Sequence, residues 1–367
     1  MSLEADDGQL SHFTPELTKR HTVRHYNAPV RIDCSAPTRI DLAGGTFDIW
    51  PLYLFHDRAQ TINAALSLRA SCTLESRDDQ RIVLVSDDTG ERVEAASAAG
   101  LRLDRLPLLA RLVHTFAAEG LTLTTRSESP VGAGIAGSSA MNIAITKALS
   151  IWTGRLQSDE DVLLTAMNVE AQVIHVPTGA QDYRPALYGG VSAVELDATG
   201  VRRIKIDIPA SELTARIVVA YTGASRVSGI NNWEVMKRRI DGDPAVIAAF
   251  DGIRDAAVGM RAALSAQDWA AASRHLNAEW QCRTRLAPGV TTPEIDALLA
   301  AARHAGATAG KVCGAGGGGC LFCLVEPDRK AAVAQALTTG GAQVLPCSIE
   351  DTGAVVGTDG TGWPDGR

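Results

Sequence analysis

Residues 130–140 read PVGAGIAGSSA, and they stand directly before a helical pattern of apolar residues that runs to Trp152. Gly132, Gly134 and Gly137 allow the backbone to turn tightly and to bring its N–H groups close to a ligand. The N–H groups of the loop and the dipole of the following helix then point at the same place, which favours an anion. The stretch therefore predicts a phosphate-binding loop at a helix N-terminus.

The same loop permits other interpretations, because its glycines follow the GxGxxG spacing of dinucleotide-binding proteins. In those proteins the loop leaves a buried strand directly, whereas residues 124–130 here are polar. The acidic pair Asp159 and Glu160 lies near the distance expected of a ribose ligand, but it fits the capped start of the next helix better. A P-loop NTPase would carry a lysine where this chain has Ser138, which excludes that class. A glycine turn that only packs the helix closely is the alternative without a ligand.

The composition is that of an ordinary soluble globular protein. The 367 residues are 46% hydrophobic and 21% charged, with a formal net charge of −7, which suggests two domains or one large one. The sequence has no basic run or basic patch interleaved with aromatic residues, so nucleic acid is not an expected partner. The polar, acidic start MSLEADDGQL and the lack of a run of about 18 apolar residues predict a cytoplasmic protein without a membrane partner.

The seven cysteines are scattered and odd in number, which favours reduced thiols over a disulfide framework. Cys320 and Cys323 form a CxxC pair, but no second pair with zinc-ligand spacing follows. Positions three apart in a strand point to opposite faces of the sheet. Both cysteines are therefore expected to be small core residues.

Strand and helix patterns follow one another along the chain, and the succession begins again near Pro209. We therefore predict an α+β fold in two domains. One helix is expected to end at Gly120, and a strand is expected across 342–349. The predicted divisions are an N-terminal extension at 1–27, a first domain at 28–208, a second domain at 209–350 and a tail at 351–367.

A second motif, SAPTRIDLAGGTFDIW at 35–50, places Arg39 on a strand and Asp48 after a glycine turn. An arginine can lie against a phosphate or a catalytic carboxylate, and an aspartate in such a turn can accept hydrogen bonds from two neighbouring hydroxyls. A surface salt bridge across the turn is the alternative interpretation.

A third motif, GAQDYRPALYGG at 179–190, holds Asp182 between loop glycines and an apolar helical turn. A carboxylate that a scaffold positions in this way suits a general base, although ordinary loop aspartates have the same surroundings. Glu170, on the preceding helix, could serve a divalent cation together with hydroxyl oxygens, or it could be a solvated helix residue.

A fourth motif is the run GAGGGG at 314–319, with five glycines in six positions. Such a run is costly in conformational entropy unless the backbone must approach something closely. It is flanked by an apolar strand and not by polar spacer, so it is not a typical linker. The run could buttress the first glycine loop or close over a substrate.

In order and spacing, the four motifs resemble those of the GHMP kinase superfamily, which includes galactokinase, homoserine kinase and mevalonate kinase. The resemblance spans residues 29–345 and is greatest to the D-glycero-D-manno-heptose 7-phosphate kinases and related sugar kinases. The closer match rests on segments that begin at Ile62, Gln181, Tyr221 and Leu286. The resemblance implies a ribosomal-protein-S5-like N-terminal domain and a ferredoxin-like C-terminal domain.

What the resemblance implies for function is ATP-dependent phosphorylation of a sugar hydroxyl, with Mg²⁺ as cofactor. Asp182 would orient or deprotonate the hydroxyl and Arg39 would hold it ionised, while Ser139 and Glu170 would ligate the magnesium ion. The nucleotide phosphates would bind along Pro130, Gly132, Ala133, Gly134, Ile135, Ala136, Gly137, Ser138 and Ser139. The sugar would meet Gly45, Thr46, Asp48, Gly316, Gly317 and Gly318.

The implied partner is a small-molecule sugar or sugar phosphate, and the leading expectation is the anomeric hydroxyl of a heptose 7-phosphate. A non-phosphorylated hexose, or a non-catalytic sugar sensor on the same fold, is the alternative. The chain departs from the heptose kinase pattern at Thr46 and Phe47, in the turn that would meet the sugar. The protein is expected to be a monomer or a homodimer. A phosphorylated sugar needs a second anion site, for which the sequence offers Arg69, Arg184, Arg226 and Lys311.

Overall fold

A computed structural model describes residues 30–224 and 232–359 of the chain. The predicted extension at 1–27 and the candidate Arg226 lie outside these ranges. The described strands are β1 Arg31–Ala43, β2 Gln60–Ser76, β3 Ile82–Ser86, β4 Glu91–Ala95, β5 Leu121–Ser127, β6 Val191–Asp197, β7 Gly200–Lys205, β8 Ile217–Tyr221, β9 Ala307–Val312, β10 Cys320–Val325, β11 Gln343–Val344 and β12 Val355–Asp359. The described helices are α1 Pro107–Phe116, α2 Gly137–Trp152, α3 Asp159–Ile174, α4 Tyr183–Tyr188, α5 Ala210–Arg216, α6 Asn232–Ile240, α7 Pro244–Ser265, α8 Trp269–Arg283, α9 Pro293–His304 and α10 Lys330–Thr339.

The first domain is built on one sheet, in which the strand order is β12-β1-β2-β5-β3-β4, with β6 beside β2 and β7 beside β6. Neighbouring strands are antiparallel except β3 and β5, which are parallel. Helices α1, α2 and α3 share a core with this sheet, where Leu112, Ile143 and Leu163 lie together with Leu74 of β2. The apolar positions of the helices and the alternating positions of the strands thus face each other, as the α+β pattern predicts.

Strand β1 determines where the second motif lies. Its first five residues alternate between buried and more accessible positions, but every residue from Ala36 to Ala43 is buried. A strand of this kind is covered on both faces, and here it carries Arg39 and Asp41 into the interior. Charged groups in such a position require ionic or hydrogen-bonding partners, so the strand already indicates a polar site inside the molecule.

The second domain has a four-stranded sheet in the order β11-β8-β10-β9, and all its neighbouring strands are antiparallel. Its strands and the helices that pack on them follow the βαββαβ succession of the ferredoxin-like fold. Phe250 of α7, Leu299 of α9 and Leu321 of β10 lie in one hydrophobic core on this sheet. The predicted two-domain α+β architecture is confirmed.

Two predicted element boundaries are wrong. Helix α1 ends at Phe116 and not at Gly120, because Ala117 takes a left-handed conformation with φ of 48° and stops the helix. Gly120, with φ of 64°, leads into β5. The strand expected across 342–349 is limited to Gln343–Val344, since Pro346 has no N–H to donate to a continuing ladder.

The described part of the chain end after residue 351 is bound at the edge of the first sheet. Val355–Asp359 forms β12, which pairs antiparallel with β1, so that Val356 lies opposite Cys34. The first sheet therefore takes its outer strand from the end of the chain. Strand pairing at a sheet edge uses mainly backbone hydrogen bonds. The short segment GAVVGTD can therefore form a strand without the apolar periodicity that would predict one.

The seven cysteines are free, and Cys320 and Cys323 are buried in β10, which confirms their assignment as core residues. Burial raises the pKa of each of these two thiols to about 12. None of the described helices combines the length and the apolar composition needed to cross a membrane.

A buried cluster of charges joins the two domains. Lys311 of β9 donates to Asp41 of β1 at 2.8 Å and to Glu279 of α8 at 3.1 Å. Glu279 also pairs with Arg283, one turn further along α8. Burial alone would raise the pKa of Asp41, but Lys311, Arg283 and Arg39 lower it to about 2. The cluster therefore contains ionised groups of both signs that need one another.

Replacing Lys311 with methionine should destabilise the protein strongly. The carboxylates of Asp41 and Glu279 would lose their shared ammonium group while remaining buried, which costs about 3–5 kcal/mol. Urea unfolding of Lys311→Met measures this loss. The control is Lys205→Met, which breaks an exposed pair with Asp207 and should change the free energy of unfolding by about 1 kcal/mol or less. Equal stabilities of the two variants would show that these buried carboxylates do not depend on Lys311.

Candidate active site

The glycine loop lies at the N-terminus of α2, as predicted. Gly132 and Gly134 have φ of 72° and 73°, in the left-handed region that favours glycine. A Cβ atom on Gly134 would lie 3.0 Å from the carbonyl oxygen of Cys313, at the end of β9. The loop thus needs glycine both for its turns and for its close approach to the second domain.

Arg39 connects this loop to the aspartate of the third motif. Its Nη1 donates to the carbonyl oxygen of Gly134 at 3.0 Å, and its backbone N–H donates to the carbonyl oxygen of Ile135 at 3.0 Å. Its Nε and Nη2 both donate to Oδ1 of Asp182, at 2.9 and 2.6 Å. Burial would lower the pKa of Arg39, but Asp182 and Asp41 raise it above its usual range. The surface salt bridge considered for Arg39 is therefore wrong, because Arg39 is buried and its partner is the half-buried Asp182 beside the loop.

Glu170 lies where α3 meets the start of α2. It accepts hydrogen bonds from the hydroxyls of Ser138 at 2.8 Å, Ser139 at 3.0 Å and Tyr183 at 2.7 Å. Burial raises the pKa of Glu170, although these hydrogen bonds oppose the shift. Glu170 is thus not a solvated helix residue. Carboxylate and hydroxyl oxygens at the head of a phosphate loop are a donor set that fits Mg²⁺.

Asp48 is almost fully buried between its own turn and the third motif. Its Oδ2 accepts a hydrogen bond from the backbone N–H of Gln181 at 2.9 Å, while Oδ1 has no partner among the described residues. Burial, and secondarily the negative charge of Asp182, raise the pKa of Asp48 to about 6. A Cβ on Gly179 would overlap the Asp48 carboxylate, so the glycine of the third motif makes room for it. The free Oδ1 is an unfilled acceptor, which suits a hydroxyl donor from a ligand.

The turn before Asp48 is held from the second domain. Thr46 has φ of 77°, which is an unusual conformation for a β-branched residue. Phe47 is fully buried, with its ring centroid 5.1 Å from those of His56 and Phe250. Arg283 donates to the carbonyl oxygen of Gly45 at 2.9 Å and to Oγ1 of Thr46 at 3.1 Å.

The C-terminal glycine run buttresses the first glycine loop. The backbone N–H of Cys320 donates to the carbonyl oxygen of Ala133 at 2.7 Å, and a Cβ on Gly319 would lie 2.7 Å from the same oxygen. Gly317 donates its N–H to the carbonyl oxygen of Val290 at 2.9 Å. Of the two roles considered for this run, the contacts favour the buttress. Substrate contact by Gly316, Gly317 and Gly318 remains a prediction.

A cavity of about 880 Å³ opens beside the phosphate loop. This volume suits a nucleotide-sized ligand. Asp48 and the glycines of the C-terminal run do not line it, whereas Asp182 lines it and is near enough to Asp48 to raise the pKa of that carboxyl. Besides residues 129–134 and 136–139, its walls include Arg39, Glu170, Asp182 and Tyr183 on the polar side and Leu108, Leu109, Met141, Ile174 and Val176 on the apolar side.

The contacts of the candidate residues argue against their use as a second anion site. Lys311 is fully buried and is held by Asp41 and Glu279. Arg184 is also buried, and it donates to the carbonyl oxygen of Ala180 at 3.0 Å. Arg69 donates to backbone carbonyls at residues 35 and 353. These three side chains are already engaged within the protein, and Arg226 lies outside the described ranges.

Several residues of the site were missed by sequence reasoning. The tyrosine after Asp182 gives its hydroxyl to Glu170, and Gln181 fixes Asp48 through its backbone. Arg283 belongs to no recognised motif. Its contact with Gly45 depends on the packing of α8 against the turn that follows β1. One usable signal was present for Asp41, because it stands two residues after Arg39 and so lies on the same face of the strand.

Comparison with known proteins agrees with this arrangement. Residues 104–190 match the N-terminal domain of GHMP kinases, and residues 260–343 match their C-terminal domain. The D-glycero-alpha-D-manno-heptose 7-phosphate kinase of Campylobacter jejuni is 31% identical over 318 residues, which cover 83% of this chain and 93% of that protein.

Solved structures give the same relationship. A structure described as a D-glycero-D-manno-heptose 1-phosphate kinase from Bacteroides thetaiotaomicron superposes with a TM-score of 0.71 at 25% identity, covering 92% of this chain and 100% of that one. A putative sugar kinase from Campylobacter jejuni superposes with a TM-score of 0.71 at 27% identity, covering 91% and 100%. The chain therefore belongs to the GHMP kinases, enzymes that transfer a phosphoryl group from ATP to an alcohol group.

Proposed function

We propose that this protein is an ATP-dependent sugar kinase that phosphorylates the anomeric hydroxyl of a heptose 7-phosphate or a similar sugar. The observation that carries the proposal is the sequence of contacts from the phosphate loop through Arg39 to Asp182, with the unfilled oxygen of Asp48 close by. The identity of 31% to a heptose 7-phosphate kinase over most of both chains supports the sugar class.

The phosphate loop and the cavity beside it would bind the nucleotide. Backbone N–H groups along residues 131–139 would hold the phosphates at the N-terminus of α2. The apolar side chains of Leu108, Leu109 and Met141 on the cavity wall offer a surface for the flat base. The phosphates of ATP would thus lie against the polar loop and its base against the apolar side of the cavity.

Asp182 would act on the acceptor hydroxyl. The hydroxyl oxygen forms a bond to the γ-phosphorus while the bond from that phosphorus to the β–γ bridging oxygen breaks, ADP leaves, and the hydroxyl proton passes to Asp182. Arg39 holds the carboxylate in place through hydrogen bonds of 2.9 and 2.6 Å to its Oδ1 and brings a positive charge beside the reacting groups. In a loose transition state, positioning and charge neutralisation do most of the catalysis, and both glycine loops and Arg39 serve them.

Ser139 and Glu170 would hold the magnesium ion that accompanies the nucleotide. The set of two serine hydroxyls and one carboxylate at this point supports that assignment. When bound, the ion neutralises phosphate charge. Tyr183 keeps Glu170 in place through its 2.7 Å hydrogen bond.

One observation favours a non-phosphorylated hexose as a second candidate substrate. Arg69, Arg184 and Lys311 donate hydrogen bonds to protein groups, which disfavours their use by a sugar phosphate. Asp48 supplies an unfilled acceptor for hydroxyls, which a neutral hexose would satisfy as well as a heptose.

A screen for sugar-dependent ADP release tests the proposal. The acceptors are D-glycero-D-manno-heptose 7-phosphate, D-galactose, L-fucose and, as a control that is not a sugar, mevalonate. We expect ADP release with a sugar acceptor, highest with the heptose 7-phosphate. A higher rate with a hexose would support the second candidate. If no sugar stimulates ADP release but one raises thermal stability, the protein senses sugar without turnover and the proposal fails.

Asp182→Asn should lower kcat for the sugar reaction by about 10²- to 10⁴-fold, because an amide cannot accept the proton. Steady-state ADP release measures the change, and thermal unfolding checks that the variant is folded. Asp78→Asn, at an exposed turn position, is the matched control and should leave kcat unchanged. An Asp182→Asn variant with wild-type kcat would remove the catalytic assignment.

Asp48→Asn should weaken sugar binding and, above pH 6, stabilise the protein. Loss of hydrogen bonds to a charged acceptor should raise the sugar KM by about 10- to 100-fold, with little change in the KM for ATP. Because the pKa of Asp48 is raised from 3.8 to about 6, the wild-type protein loses stability as pH rises through this interval.

The asparagine variant has no such penalty, so its gain in Tm over wild type should be present at pH 8 and small near pH 4. Thermal unfolding at both pH values, with the two KM values, provides the test. An unchanged sugar KM, or an equal difference in Tm at both pH values, would be incompatible with a buried sugar-binding carboxylate.

A further inference from the structure

We propose that Arg283, the last residue of α8 in the second domain, is the positioning residue that sets the geometry of the sugar-binding turn 44–48. This inference rests on the proposed function, because it concerns the same sugar site. Arg283 would not touch the sugar. It would act through Gly45 and Thr46 on Asp48.

The guanidinium of Arg283 is fully engaged at the turn and on its own helix. Nη2 donates to the carbonyl oxygen of Gly45 at 2.9 Å, and Nη1 donates to Oγ1 of Thr46 at 3.1 Å. Nε donates to Oε1 of Glu279 at 2.8 Å. The side chain is 2% exposed. Two parallel hydrogen bonds from a planar group define an orientation as well as a distance, so Arg283 fixes two consecutive residues of the turn.

Those residues need such support. The φ of 77° at Thr46 is a conformation that a β-branched residue takes only where the surroundings enforce it. Gly45 leaves room for the guanidinium, since a Cβ there would lie 3.0 Å from Nη2 of Arg283 and 2.7 Å from Oδ2 of Asp41. The turn and Arg283 are therefore shaped to each other.

The result of this arrangement is the position of one carboxylate, to which other contacts contribute besides those of Arg283. Phe47 is buried against Phe250 of α7, and the backbone N–H of Gln181 holds Oδ2 of Asp48. Within the turn, the N–H of Phe47 donates to the carbonyl oxygen of Gly44 and the N–H of Ile49 to that of Thr46, both at 3.3 Å. These backbone hydrogen bonds are long, so loss of the two contacts from Arg283 would let the turn shift and move Asp48 relative to the sugar.

Substitution of Arg283 with lysine separates the effect of the planar guanidinium from the effect of its positive charge. It would retain a cation beside Glu279 and Asp41, but a single ammonium group lacks the planar fork that reaches both Gly45 and Thr46. Arg283→Lys is therefore the informative substitution. Removal of the charge altogether would leave Lys311 to balance both Asp41 and Glu279, and this loss of charge would itself destabilise the protein.

The test uses the full chain with ATP and with D-glycero-D-manno-heptose 7-phosphate or D-galactose as acceptor. Arg283→Lys should raise the sugar KM by about 10- to 100-fold, as expected when a binding group is misplaced by about 1 Å, and should change the KM for ATP by less than about two-fold. A general loss of structure would not change the sugar KM selectively: it would change both KM values or leave both unchanged.

A second substitution tests the mechanism of positioning. Glycine adopts the left-handed conformation without strain, so Thr46→Gly removes the need for Arg283 to hold the turn. In a double-mutant cycle, Arg283→Lys should raise the sugar KM several-fold less in the Thr46→Gly background than in the wild type. Equal effects in the two backgrounds would overturn the inference.

Arg216→Met is the control for α8 itself. Arg216 packs over the ring of Trp269 at the start of the same helix, with 4.8 Å between its Cζ and the ring centroid, and Arg283 lies at the other end, about 20 Å away for a helix of this length. The control should lower Tm and leave the sugar KM unchanged.

If Arg283→Lys behaves like this control, its role is structural only. If the wild type is active and Arg283→Lys keeps its sugar KM, the inference alone fails; a wild type that releases no ADP with any sugar overturns the proposed function as well.

Discussion

The pairing of Arg39 with Asp182 is the interaction on which the rest of the site depends. One guanidinium donates to the carboxylate of Asp182 and to the carbonyl oxygen of Gly134 in the phosphate loop. Because Arg39 is buried, its charge requires these partners, and they in turn cannot move apart without leaving it unpaired. The distance between the phosphate loop and Asp182 is therefore set by a single side chain of β1. In our account, ATP and the acceptor hydroxyl meet across this distance.

The same strand extends the arrangement into the second domain. Asp41, on the face that carries Arg39, binds Lys311 and the backbone N–H of Gly314. A buried ion pair of this kind adds little net stability, but it strongly disfavours any packing that separates its partners. The backbone hydrogen bond from Cys320 to Ala133 gives a second, uncharged link between the two glycine loops. The candidate site is thus a product of the junction between the domains, and neither domain holds all of its parts.

The sequence allowed the two-domain α+β fold and the glycine loop at the start of α2 to be predicted, because glycine spacing and helix signals are local. The contacts of Lys311 could not be predicted, since a lysine beside a glycine run has the same local pattern whether it is exposed or buried. Its partner Asp41 lies 270 positions away along the chain. The two roles open for the glycine run at 314–319 both require close backbone approach, and only the position of Ala133 distinguishes them. The pairing of Tyr183 with Glu170 likewise depends on the direction of α4, which composition does not specify.

The central proposal is that this site transfers phosphate to the anomeric hydroxyl of a heptose 7-phosphate or a similar sugar. The most direct measurement is phosphorus and proton NMR of the product formed from ATP and D-glycero-D-manno-heptose 7-phosphate. The account predicts a second phosphorus signal that couples to the proton on the anomeric carbon, with the phosphate at position 7 retained. A new phosphate that couples to a proton on another carbon would contradict it.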